Sequence, residues 1–151
     1  MTEHPFTTFN FSVEINVGGS GGPLAAAEFS ECDGLEMTMD VKTIREGGAN
    51  DRPVRVNGPV NYSNLTLKRG MTRNYDLWTW FQHSVDDPAL RADAEVVMLA
   101  QDGTTEQARF QLSRCVPVKL KAPALNAKDG NVAVEEIQIA YETLKFIAGK
   151  G

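Results

Sequence analysis

Phe9-Asn10-Phe11-Ser12-Val13-Glu14-Ile15-Asn16-Val17 alternates apolar and polar residues without a break. Successive side chains of a strand point to opposite faces, so Phe9, Phe11, Val13, Ile15 and Val17 share one side. This is the pattern of a strand in an antiparallel sheet with one wet face. Gly18-Gly19-Ser20-Gly21-Gly22-Pro23 ends it, because glycine leaves the backbone unrestrained and proline lacks a donor.

The same period recurs along the chain. Leu35, Met37, Met39 and Val41 alternate with Glu36, Thr38, Asp40 and Lys42, which predicts a second half-buried strand. Further strands are predicted at residues 62–68, 94–101 and 106–113, the last two joined by the hairpin signal Asp102-Gly103. Over 132–146 the apolar phase slips, from Val132 and Val134 to Ile137, Ile139 and Tyr141, then to Leu144 and Phe146. A slip of this kind implies a bulge or a change of neighbour. Residues 45–59, with Gly47, Gly48, Pro53, Gly58 and Pro59 among Arg45, Arg52 and Arg55, read as a long polar loop.

One helix is predicted over residues 74–85. Asn74 can cap it, Asp76 suits its positive end, and Asp86-Asp87-Pro88 stops it. Leu77, Trp78, Phe81 and Val85 form its apolar stripe. The residues therefore predict a mainly β protein with one packing helix, and 151 residues form a single domain over 1–151.

Composition excludes several functions. A net charge of −5 argues against a free nucleic-acid binder. The first residues, Met1-Thr2-Glu3-His4-Pro5, hold neither a basic nor an apolar export signal, and no apolar run approaches bilayer length. The expectation is a chain made and assembled in the cytoplasm, with no membrane insertion of the free subunit. Cys32 and Cys115, lacking metal-type spacing, read as reduced thiols.

No chemistry stands out. His4 and His83 have no ligand or base partner at a useful spacing, and neither a nucleophile elbow nor a phosphate loop is present. Glu135 and Glu136 are adjacent on a strand and so point to opposite faces. The expectation is a non-enzyme with no catalytic residues, no metal and no cofactor. Two-sided polar patterning on several strands suits subunits that join sheet edges, since an edge strand is a liability unless it is paired.

At this point a resemblance emerges. The opening strand, Ala27-Glu28-Phe29-Ser30-Glu31-Cys32-Asp33-Gly34-Leu35, Arg45-Glu46-Gly47-Gly48-Ala49-Asn50 and Leu65-Thr66-Leu67-Lys68-Arg69-Gly70-Met71-Thr72 occur in order. So do Leu77-Trp78-Thr79-Trp80, Pro117-Val118-Lys119-Leu120, Leu125-Asn126-Ala127 and the 132–137 stretch. Together they resemble the inner tube (tail tube) family of contractile phage tails and phage-like extracellular contractile injection systems. That family shares its fold with the ring-forming tube protein of type VI secretion. Asn57-Gly58-Pro59 and Cys115 depart from the family's usual residues.

The resemblance implies a small antiparallel β-sandwich or barrel with one flanking α-helix. Six copies form a ring around a continuous lumen-lining β-barrel, and the rings stack into a tube that sheath contraction drives through an envelope. Implied partners are further copies of the chain, a surrounding sheath protein, baseplate and tube-cap proteins, and luminal cargo, either effector protein or DNA. The particle is phage tail-like and released from the cell. The alternatives are a tube-initiator, terminator or baseplate homologue, or a stand-alone β-sandwich binding module.

With four strands from each copy, about 24 strands at about 4.8 Å spacing and about 45° tilt leave a lumen about 40 Å across. Asp40, Lys42, Glu136, Gln138 and Glu142 are the expected lumen-facing residues, on a wall expected to be acidic. Arg45, Glu46, Gly47, Gly48, Asn50, Arg52, Arg55, Lys68, Arg69 and Gly70 are the expected contacts between subunits and rings. Glycine permits close backbone approach there, and arginine can pair with a partner's carboxylates.

Overall fold

Alternation in the opening strand is realised as β1, Phe11–Val17, with Val13 and Ile15 buried and Ser12, Glu14 and Asn16 turned to water. The computed structural model describes residues 10–17, 23–25, 29–44, 54–128 and 130–149. After β1 come β2 (Pro23–Ala25), β3 (Glu31–Asp33), β4 (Met37–Ile44), β5 (Val54–Tyr62) and β6 (Leu65–Gly70). Then follow α1 (Asp76–Asp86), β7 (Ala92–Leu99), β8 (Glu106–Lys121), β9 (Val134–Ala140) and β10 (Thr143–Ala148). Every strand pair is antiparallel.

The long strand β8 organises the sheets. Its first half lies between β7 and β10, while its second half pairs with β9, giving the order β2-β1-β7-β8-β9-β6-β3. The change of layer occurs at Arg114, whose φ is 53°, where two residues of β8, Ser113 and Arg114, lie opposite Asp93 alone. Such a bulge bends a strand and lets it serve two sheets. The sequence placed the end of this strand at Ser113; the bulge, which leaves the alternation out of step, is why it reads as an end.

The phase slip in the last predicted strand marks a real break. β9 pairs with β6 and the second half of β8, the ladder breaks at Tyr141 and Glu142, and β10 runs on in the same direction along the first half of β8. Asp102-Gly103 does join β7 to β8, with Gly103 at φ 76°.

Ile15, Leu65, Leu67, Leu112, Ile137 and Ile139 fill the space between the layers, together with Leu77 and Trp80 of α1. Burying each such side chain contributes about 1.5–3 kcal/mol relative to leaving it in water. The helix packs against β8 and β2. Its cap position falls on Tyr75, and Asn74 instead accepts the Asp76 N–H at 3.1 Å through its side chain. The buried stripe is also shifted from the expected one: Trp80 is fully buried, Trp78 and Phe81 are partly buried, and Val85 is exposed.

The greatest departure lies in the middle of the chain. Residues 54–59 are not loop but the first part of β5, which pairs with β4 from Ile44↔Val54 to Met37↔Tyr62. β4 and β5 form a separate two-stranded sheet that extends β3 and β6 beyond the body of the protein. A proline and glycine within the strand hid it from pattern reading. Both sit at a bulge, where two residues, Gly58 and Pro59, oppose Asp40. A Cβ on Gly58 would lie 2.5 Å from the Asp40 carbonyl oxygen, so only glycine fits.

Candidate assembly interface

Four strands, in the order β3, β6, β9 and the second half of β8, form a sheet with one face on the core and one in water. Register places Glu31, Lys68, Glu136 and Lys121 side by side in one row across that outer face. The next row holds Asp33, Thr66, Gln138 and Lys119. Lys68 Nζ lies 3.1 Å from Glu31 Oε2 and 3.6 Å from Glu136 Oε1. Hydrogen bonding to Glu31 raises the Lys68 pKa further above its usual value.

Glu136 and Gln138 thus share a solvent-facing surface. Lys68, expected among the contact residues, stands in the same row as Glu136. The two rows carry three lysines and three carboxylates, so this face is balanced rather than acidic. Glu142 is elsewhere: it lies at the corner after β9, where its Oε2 is 2.8 Å from Arg114 Nε. Alternation alone would have carried it onto the Glu136 face, but β9 ends at Ala140.

Arg69 corrects the contact set most sharply. It is 3% exposed and paired with the fully buried Glu135, so its guanidinium is unavailable to a neighbour. Arg69 Nη2 also donates to the Asn74 carbonyl at 3.3 Å, and Trp78 Nε1 donates to Glu135 Oε2 at 3.0 Å. The arginine lies 5.5 Å over the Phe29 ring. These groups tie the start of α1 to β6 and β9. Gly70 is exposed at the end of β6, opposite Val134.

The β4–β5 arm keeps the two faces of the sheet from which it extends. Met37 lies opposite Tyr62, whose ring packs 5.5 Å from Tyr141 at the edge of the core. Met37, Met39, Val41 and Val60 continue that core-facing side outward, where the described residues leave them largely uncovered: Met37 is 57% exposed, Met39 47% and Val41 53%. Asp40 lies on the opposite, polar side, where its carboxylate accepts the Asn61 amide at 3.3 Å. Lys42 and Arg55 are also exposed on this arm. Arg45, Glu46, Gly47, Gly48, Asn50 and Arg52 lie outside the described residues.

An isolated two-stranded ribbon is marginal in water, and a row of uncovered apolar side chains marks an interface. The sequence hid this because Met37, Met39 and Val41 have the same alternation as a strand covered by its own core. Backbone edges add a second feature. Among the described residues, β3 pairs only with β6, β4 only with β5, and residues 116–121 of β8 only with β9. The four-stranded sheet is therefore open at both ends. At the far end from the arm, residues 122–127 and 131–133 help line an open cavity of about 940 Å³ together with Lys68, Lys121 and Glu136.

Residues 7–145 match the family of the T4-like virus tail tube protein gp19. This chain belongs to that family. Among the described residues no group of three His, Cys, Asp or Glu side chains could hold a metal ion, and no helix is long and apolar enough to cross a membrane.

The tail tube fold recurs in solved assemblies. A chain in the six-fold symmetrised baseplate of the anti-feeding prophage is 22% identical with a TM-score of 0.84, covering 99% of this chain and 100% of that one. A chain in the extended sheath–tube complex of the extracellular contractile injection system PVC is 21% identical with a TM-score of 0.78, covering 97% and 93%. Hcp1 from Flavobacterium johnsoniae is 16% identical with a TM-score of 0.52, covering 91% and 96%. At these identities the likeness is one of fold. No functionally curated protein matches the sequence.

Proposed function

We propose that this tail tube protein is a structural subunit of the rigid inner tube of a contractile injection system. It assembles into hexameric rings that stack into a hollow conduit. The observation that carries the reading is a family match over nearly the whole chain, on a subunit whose four-stranded sheet is open at both edges.

The strand directions suit ring closure. With four antiparallel strands in the sheet, β3 and β8 run in opposite directions. Placing β8 of one copy beside the β3–β4 edge of the next therefore continues the antiparallel pattern. Each junction is head-to-tail, and a head-to-tail contact closes into a ring or climbs into a helix. Pairing the edges satisfies their backbone N–H and C=O groups and removes the risk of open-edge aggregation. The apolar side of the arm is covered by another copy, and the balanced face carrying Glu136 and Gln138 lines the channel.

The remaining partners follow from this role: a sheath outside the tube, a baseplate and cap at its ends, and effector protein or DNA within. Assembly takes place in the cytoplasm and the finished device acts as a phage tail-like particle.

The test is negative-stain microscopy and size-exclusion chromatography of the purified protein beside the variant Met37→Gln, Met39→Gln, Val60→Thr. The unaltered protein forms rings or hollow tubes, and the variant remains a folded monomer. An unaltered protein that stays monomeric at every concentration would refute the tube reading. Discrete rings that never stack would instead favour a ring at the end of the tube.

A further inference from the structure

The two open edges of the four-stranded sheet carry opposite charge. On the β8 edge, Lys119 and Lys121 both project from the outer face, and neither makes an ion pair among the described residues. On the β3–β4 edge stand Glu31, Asp33, Glu36 and Asp40, with Lys42 the only described cation. Within the sheet the row already alternates, Lys121 beside Glu136, Glu136 beside Lys68, and Lys68 beside Glu31. The row starts with a cation and ends with an anion, so a further copy added at either edge continues the alternation. An added copy turned the other way would set lysine against lysine or carboxylate against carboxylate. Like charges directly opposite on neighbouring strands are unfavourable.

We infer that the seam between adjacent copies is keyed by charge: the Lys119–Lys121 edge of one subunit seats against the acidic β3–β4 edge of the next. The occupant of each edge is thus a second copy of this chain in one orientation. The inference rests on the ring reading above and adds what selects the head-to-tail order. Backbone pairing alone would hold strands together at several registers, whereas complementary side-chain charge fixes register and rejects the wrong partner. Ring formation should accordingly weaken as salt rises, because these groups are exposed.

Two charge-reversed proteins test it. The first carries Lys119→Glu and Lys121→Glu, making both edges acidic; the second carries Glu31→Lys and Asp40→Lys, making both edges predominantly basic. Asp33 is left alone because its carboxylate accepts the Gly34 N–H at the corner. Each variant alone should be folded by circular dichroism but need more than about tenfold higher concentration to form rings. An equimolar mixture should restore rings, and native mass spectrometry should find the two variants in equal number within each.

Rings formed by either variant alone as readily as by the unaltered protein would overturn the inference. So would a mixture that stays monomeric although both variants are folded. If a reversed variant does not fold, the milder Lys119→Gln, Lys121→Gln protein serves in its place. Its assembly should lose most of the salt dependence seen for the unaltered chain, and an unchanged dependence would count against the seam. Failure of the unaltered protein to form any ring is a separate outcome, and it removes the tube reading itself.

Discussion

Arg69 Nε lies 2.7 Å from Glu135 Oε1, with both side chains sealed from water between the sheet and the helix. The pair sits one position from Lys68 and Glu136, which carry the same two charges on the wet face of the same two strands. One cross-strand row therefore anchors α1 inside the subunit, while its neighbour faces solvent.

Removing one partner of a buried pair strands the other charge. Arg69→Met leaves Glu135 with only the Trp78 N–H among the described donors, and Glu135→Leu leaves the guanidinium without a carboxylate. Each should cost about 3–5 kcal/mol, whereas the double replacement should be far less costly than the sum. Urea unfolding of the four proteins in a double-mutant cycle measures the coupling. Additive losses would mean that the two charges do not depend on one another.

Gly34 joins the body strand β3 to the arm. Its φ is +101°, and a Cβ there would lie 2.1 Å from the Asn64 carbonyl oxygen, at the matching corner between β5 and β6. Gly34→Ala must therefore strain the backbone and push the two corners apart, at a cost of about 1–3 kcal/mol. Gly130→Ala is the control: a Cβ there meets nothing within 4 Å, and the change should stay within about 0.5 kcal/mol. Thermal unfolding compares them, and equal melting temperatures would refute the strain.

Helix packing yields a paired prediction. Trp80→Ala empties a fully buried site and should cost about 3–5 kcal/mol, whereas Val85→Ala, on the exposed side, should change stability by less than about 0.5 kcal/mol. Denaturant midpoints decide it. A large loss at Val85 in the monomer would restore the stripe read from spacing alone.

That stripe shows where pattern reading stops. Helical spacing admits both Leu77-Trp78-Phe81-Val85 and Leu77-Trp80-Phe81-Ser84, and only the tilt of α1 on β8 and β2 selects the second. The strands were legible because period-two alternation survives wherever one face is covered, as in β1, β6 and β9. The arm was only half legible. Alternation marks Met37, Met39 and Val41 as one face but says nothing of whether the covering surface belongs to the same chain. Arg69 was misread for a related reason: a charged residue defaults to the surface, and its buried partner Glu135 lies 66 positions away. Glu136 and Gln138 needed only alternation, and alternation placed them together.

Burial pushes the Cys32 and Cys115 thiols up to about 12, aided by Asp33 at the first and by Asp93 at the second. Near pH 8 neither should carry the thiolate that reacts with iodoacetamide. The folded protein should therefore resist alkylation, and the urea-unfolded chain should take up two labels per molecule, as mass spectrometry would count. Rapid labelling of the folded chain would show that one site opens.

Asp102 makes one turn of the fold sensitive to acid. Its carboxylate accepts the Thr105 hydroxyl at 2.5 Å and the Thr104 and Thr105 N–H groups at 2.9 Å, which together hold the β7–β8 turn. The hydrogen bond from the Thr105 hydroxyl is the largest cause of a pKa lowered from 3.8 to about 2. A carboxylate held below its unfolded value stabilises the fold fully above pH 3.8, and that contribution is lost as pH falls towards about 2. Asp102→Asn keeps an acceptor oxygen but cannot titrate. It should be less stable than the unaltered protein near neutral pH, and the gap should narrow as pH falls through this window. Urea unfolding of both proteins at several pH values reads that difference directly, while every other carboxylate cancels between them. A gap that stays constant from neutral pH down to about 2 would mean that the Asp102 charge contributes nothing to the turn.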